Sequence, residues 1–132
     1  AEIVAEVNGF KPAEVEPLLL ERSFGEAEGM AHEDWKAKYA DTNVVPGGES
    51  LADLESRANL LLEKLAHKYK GKRVLTVSHG ALIRKLLRIV SKGEFPRDGE
   101  RLGNASMSVF MHDDSGWQVV RYEPRTLHSD LL

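Results

Sequence analysis

The chain has 132 residues, 42% hydrophobic and 30% charged, ordinary proportions for one packed domain. Its net charge of −3 leaves no footprint for nucleic acid or an anionic membrane, and no apolar run approaches a membrane span. Zero cysteines exclude disulfides, thiolate zinc sites and a cysteine nucleophile, which suits a cytoplasmic protein.

Residues 1–9 read as the end of an amphipathic helix. Ile3, Val4 and Val7 share a face, and Asn8-Gly9 is a C-terminal stop. No capping side chain precedes Ile3, and two turns are marginal alone, so an upstream part is expected to be missing. Residues 15–20 are expected to be extended, ending in a loop over 21–29. A short helix is predicted around 33–39, with Trp35 and Tyr39 four apart, before a turn at Pro46-Gly47-Gly48.

The clearest element follows. Ser50 and Asp53 form a capping pair, and Leu51, Leu54, Ala58, Leu61 and Leu65 repeat at helical spacing until Gly71. Residues 73–78 form a short apolar run, as expected of a strand covered on both faces. Helical spacing resumes over 81–90 through Leu82, Leu86 and Val90, widened by Ile83 and Leu87. Residues 106–111 and 117–122 flank Asp113-Asp114-Ser115-Gly116 and predict an antiparallel hairpin. Helix, strand, helix in that order indicates an α/β domain with a partly parallel sheet. No repeat, linker or low-complexity tract divides 1–132, which reads as a single domain.

His79 sits where the apolar strand ends and a helix begins, the place where open α/β sheets bind ligands. Amides opening that helix favour a phosphate or carboxylate, and Gly80 lets backbone approach an anion. An imidazole there can donate a hydrogen bond to a phosphoryl oxygen or exchange protons with it. Taken alone, His79 reads more readily as a strand-end histidine tied to a carbonyl. Ser78 is no nucleophile elbow, because Thr76 stands where the first glycine is needed.

Glu21 also follows an apolar segment, Leu18-Leu19-Leu20, and a half-buried carboxylate at such a mouth can act as a general acid. A lone glutamate is more simply a surface charge, and Glu26 and Glu28 read as solvated loop residues. No Asp-x-Asp spacing or histidine cluster suggests a metal.

Four segments together carry a resemblance. Leu20-Glu21-Arg22-Ser23-Phe24-Gly25-Glu26-Ala27-Glu28-Gly29 resembles the acidic-loop motif of the histidine phosphatase superfamily, and Pro46-Gly47-Gly48-Glu49-Ser50 resembles its turn before the long helix. Val77-Ser78-His79-Gly80-Ala81-Leu82-Ile83-Arg84 resembles its second histidine motif, and Leu102-Gly103-Asn104-Ala105-Ser106 resembles the segment leading into its late strand. The order is kept along the whole chain.

The resemblance implies a phosphoglycerate-mutase-like three-layer sandwich, with a mixed, mainly parallel sheet and helices on both faces. It implies two-step phosphoryl transfer without metal or cofactor, through a phosphohistidine. Glu21 matches the residue that protonates the leaving oxygen and later activates water. His79 matches the second pocket histidine, Gly80 would lend its amide to phosphate, and Arg22 and Asn104 would border the substrate pocket. The expected substrate is a small phosphate monoester.

One departure is large. The sequence contains no Arg-His-Gly, the motif that carries the nucleophile, and His32, His67, His112 and His128 lie in helical, hairpin or tail contexts. The expectation is that the first strand, catalytic loop and most of the first helix are deleted, disordered or on another chain. Such a chain would be inactive and poorly stable alone, with its sheet completed by the missing segment or a second copy. A binding or scaffold protein without the nucleophile is the other reading.

Ala81 stands where cofactor-dependent mutases carry asparagine, and the stretch from Gly29 to Glu49 is short for a water-excluding lid. Both favour a phosphatase over a phosphoglycerate mutase, nearest the α-ribazole-phosphatase and broad-specificity types. Specificity is expected from a lid around Trp35 and Tyr39 and from the loop 91–103, although Trp35 reads more simply as packing.

Overall fold

A computed structural model describes residues 1–42 and 44–125. They fall into two compact units that divide along the chain after Leu82. His128 lies outside the described residues.

The first unit opens with helix α1, Glu2–Val7, which has no side-chain cap. Gly9 ends it at φ 66°, with Gly9 N donating to Glu6 O and Phe10 N to Ala5 O, a pair of hydrogen bonds that a left-handed residue permits. Only Ala5 of this helix is buried, so the face built from Ile3, Val4 and Val7 is exposed rather than packed.

Residues 15–20 correct an expectation. Pro17–Leu19 wind into a single 3₁₀ turn instead of running extended. Pro17 presets the helical φ, and the Glu16 carboxylate accepts from Leu18 N at 3.2 Å. A second 3₁₀ turn, Gly25–Ala27, lies inside the predicted loop. Helix α2, His32–Tyr39, forms where predicted. Trp35 packs against a small core of Ala27, Tyr39 and Val45, with Phe24 and Met30 beside it.

Helix α3, Leu51–Lys68, carries the predicted cap: Ser50 Oγ accepts from Asp53 N at 3.0 Å and donates to Asp53 Oδ2 at 2.7 Å. Leu54, Ala58 and Leu61 are buried as its periodicity requires. Leu51 instead stays exposed at the first turn, and Leu62, outside the predicted stripe, is buried. Glu16 and Glu14 reach across to Lys64 and Lys68 and hold the preceding segment along this helix.

Residues 73–78 are the second correction. They follow α3 as predicted but form no strand ladder among the described residues, and Val74, Leu75 and Val77 are 45%, 60% and 46% exposed. A strand is defined by its neighbour's hydrogen bonds, and apolar composition alone cannot supply them.

Helix α4, Gly80–Val90, begins directly afterwards, with Leu82, Leu86 and Leu87 buried. In the second unit the predicted hairpin is present. Strands β1, Met107–Asp113, and β2, Gly116–Glu123, pair antiparallel with Asp113 opposite Gly116 and a bulge between Val109 and Phe110. These are the two strands of the one sheet among the described residues. The parallel part of the expected sheet is not among them. None of the described helices is long and apolar enough to cross a membrane.

Gly25 shows how closely the acidic loop meets the 46–48 turn. It sits at φ 51°, and a Cβ there would collide with Pro46 O and with the backbones of Gly47 and Gly48. Gly29 has φ 74° but open space around it. Gly25→Ala is therefore expected to destabilise the protein by about 3 kcal/mol, summing a left-handed backbone cost and a steric clash. Gly29→Ala should cost only the backbone part, about 1 kcal/mol. Urea midpoints of the two variants test this, and equal losses would remove the clash from the account.

Candidate active site

The first unit brings three of the four sequence segments together. Glu26 N donates to Pro46 O at 3.1 Å and Glu49 N to Ser23 O at 2.9 Å, which joins the acidic loop to the turn before α3. Ser78 Oγ donates to Leu19 O at 2.8 Å, tying the residue before His79 to the apolar run before Glu21. This hydroxyl is spent on a carbonyl, in keeping with its rejection as a nucleophile.

Glu21 itself is half-buried, and so is not the exposed surface charge that a lone glutamate more simply suggests. Its Oε2 accepts from Ala81 N at 3.2 Å, and its Oε1 from Leu82 N at 3.3 Å and Arg22 N at 2.8 Å. The carboxylate therefore occupies the opening amides of α4, the anion-favouring position that sequence reasoning had offered to phosphate. His79 and Gly80 immediately precede those amides, and both are exposed. The strand-end histidine is thus not buried.

The two weaker pocket residues fare differently. Arg22 is 8% exposed, its Nε donates to Glu49 O at 2.9 Å, and its guanidinium lies 5.4 Å from the centroid of the Phe24 ring. Its Nε is thus engaged in tying the acidic loop to the turn before α3. Asn104 is exposed on a turn of the second unit, three residues before β1, as its segment's resemblance implied. In that unit Gly103 N donates to Pro124 O at 2.7 Å, and Tyr122 Oη donates to the Glu100 carboxylate at 2.8 Å. Burial and that carboxylate push the Tyr122 hydroxyl up to about 12. No group of three His, Cys, Asp or Glu side chains suited to a metal ion occurs among the described residues.

Sequence reasoning missed Arg57. It projects from α3 and makes four hydrogen bonds: Nε and one terminal nitrogen fork onto the Glu49 carboxylate, both at 2.7 Å, and the other reaches Leu18 O at 2.9 Å and Leu20 O at 2.8 Å. Two-pronged pairing of this kind matches guanidinium to carboxylate geometry. The only sequence signal was an eight-residue separation from Glu49, and nothing pointed to the carbonyls.

The Arg57 guanidinium holds the Glu49 carboxyl below the usual carboxylate range. A folded pKa below the unfolded one contributes stability that is fully present above the unfolded pKa and disappears as pH falls through the folded value. Comparing wild type with Glu49→Gln by urea unfolding, the gap should be constant above the ordinary glutamate range and close as pH falls below it. A gap independent of pH would contradict the ion pair.

Residues 1–124 match the sequence profile of the Histidine phosphatase superfamily (branch 1). The chain belongs to the histidine phosphatase superfamily. It is 37% identical to the "Uncharacterized phosphatase PhoE" of Bacillus subtilis (strain 168) over 102 residues, 77% of this chain and 52% of that protein. It is 32% identical to the "Metal-independent phosphoserine phosphatase" of Arabidopsis thaliana over 83% of this chain and 50% of that protein. A 2,3-bisphosphoglycerate-dependent phosphoglycerate mutase of Bradyrhizobium diazoefficiens is 32% identical over 61% of this chain and 45% of the mutase. Among solved structures, the product of open reading frame Rv3214 from Mycobacterium tuberculosis superposes with a TM-score of 0.72 at 26% identity, covering 94% of this chain and 66% of that one. This chain spans about half the length of these sequence relatives.

Proposed function

We propose that this chain carries the acid–base glutamate and the second histidine of a phosphomonoesterase acting on a small phosphorylated metabolite through a phosphohistidine. The observation that carries the reading is the Glu21 carboxylate on the opening amides of α4, directly after Ser78-His79-Gly80. Phosphoryl transfer needs donors and positive charge around oxygens that gain negative charge, and a proton source for the leaving group.

In the first step an imidazole nitrogen, contributed from outside this sequence, bonds to phosphorus as the ester P–O bond breaks. The Glu21 carboxyl gives its proton to the departing oxygen. In the second step the carboxylate takes a proton from water, whose oxygen bonds to phosphorus as the N–P bond breaks. Inorganic phosphate leaves and Glu21 is again protonated. His79 and the Gly80 amide hold the equatorial oxygens throughout. No step calls for a metal, a reading supported by the name of the Arabidopsis relative, a metal-independent phosphoserine phosphatase.

The remaining strands of a three-layer sandwich would pair with residues 73–78, either from a further segment of the same protein or from a second copy. Without them the chain is expected to be inactive. The reading goes with a cytoplasmic location. Hydrolysis is favoured over mutase chemistry by Ala81 and by the short stretch between Gly29 and Glu49, which leaves little chain to exclude water.

The test uses protein expressed from the whole coding sequence. It should release phosphate from p-nitrophenyl phosphate in EDTA without loss of rate. Interconversion of phosphoglycerates with little free phosphate would favour a mutase instead, and neither activity would favour the scaffold reading.

A further inference from the structure

We propose that Arg57 is a positioning residue, setting from α3 the place and direction of the Glu21 carboxylate. The inference rests on the phosphatase reading and extends it to a side chain remote from the reacting atoms.

The geometry is that of a clamp on one short segment. The carbonyls of Leu18 and Leu20 accept from a single terminal nitrogen of Arg57, and Leu19 O between them accepts from Ser78 Oγ. Three successive carbonyls are therefore held by side chains of other elements, and Glu21 is the next residue. Arg57 cannot swing away, because its remaining donors fork onto Glu49. Glu49 is fixed in turn: its backbone N donates to Ser23 O, and its carbonyl accepts from Arg22 Nε. The backbone on both sides of Glu21 is thus locked to α3 and to the 46–49 turn. Only the carboxylate is left to move, between the α4 amides and a leaving oxygen.

A lysine at 57 retains the charge but lacks the fork. It can satisfy Glu49 or the Leu18 and Leu20 carbonyls, and it cannot hold the planar arrangement that satisfies both. Misplacing a proton donor affects only substrates that need the proton. An alkyl phosphate has a poor leaving group and depends on the general acid; a 2,4-dinitrophenyl phosphate leaves without help.

The experiment compares wild type and Arg57→Lys in the protein expressed from its whole coding sequence, following the first turnover with both esters. The expected result is a loss of about 30-fold for the alkyl ester, less than about threefold for the dinitrophenyl ester, and an unchanged KM for each. Equal losses on both esters, or no loss on either, would overturn the positioning role. Should Arg57→Lys fail to fold, Glu49→Gln makes the same test. It keeps both carbonyl bonds but removes the anion that orients the guanidinium, so a smaller loss, still selective for the alkyl ester, is expected; an unselective loss overturns the inference. Wild-type protein inactive on both esters would instead refute the phosphatase reading, a separate outcome.

Discussion

In protein expressed from its whole coding sequence, His79→Ala is expected to lower turnover of a phosphate monoester by about 10³-fold. An imidazole that donates to phosphoryl oxygens acts most strongly when charge accumulates on them, so the loss should fall mainly on kcat. The ring is exposed. It fills no core space, and the thermal midpoint should be close to that of wild type. Parallel kinetic and melting measurements check both halves. A near-normal rate would take His79 out of the mechanism, whereas a collapsed fold would show that the side chain is structural.

The second large effect is at Glu21. Glu21→Gln should lower turnover of an alkyl phosphate by about 10²–10⁴-fold, the usual contribution of a positioned general acid and base. Glutamine retains an oxygen that can accept from one α4 amide, but its NH₂ cannot accept from the second. Some loss of helix stabilisation is therefore expected, about 1 kcal/mol or less for a lost charge at a helix N-terminus. That is too small to unfold the protein and far too small to explain the kinetic loss. Glutamine is neutral and close in size to the protonated carboxyl that faces phosphate at the end of the cycle, so inorganic phosphate should inhibit the variant about as strongly as wild type. A variant that loses rate and affinity for phosphate together would point to a structural role for Glu21.

Much of the fold was legible because the informative signals are local. The Ser50 cap and the Leu54, Ala58, Leu61 spacing determine α3 from within its own span, as Asp113 to Gly116 do for the hairpin. The 3₁₀ turn at Pro17 was misread because an apolar run of three leucines suggests extension, while one proline and one glutamate side chain decide otherwise. Residues 73–78 have the composition of a buried strand without its ladder, since pairing depends on a neighbour that apolar composition does not specify.

The site was legible only in part. Glu21 and His79 stood out as residues at the ends of apolar runs, and the structure brings Glu21 to the helix that His79 precedes. What the sequence could not show was that the carboxylate itself takes the helix's anion position. Arg57 was invisible for a related reason: on the polar side of a helix an arginine reads as solvated, and its carbonyl partners lie 39 and 37 residues away along the chain. Side-chain to backbone bonds of this range leave no periodic trace.

On the proposed mechanism His79 and Glu21 address one phosphoryl group. The most direct measurement is a crystal structure of the protein, expressed from its whole coding sequence, with orthovanadate bound as a five-coordinate mimic of phosphorus in transfer. A His79 ring nitrogen is expected within about 3 Å of an equatorial oxygen, with the Glu21 carboxylate facing the apical oxygen on the leaving side. Vanadate bound away from both residues, or held by His79 with Glu21 still locked on the α4 amides and facing away, would contradict it.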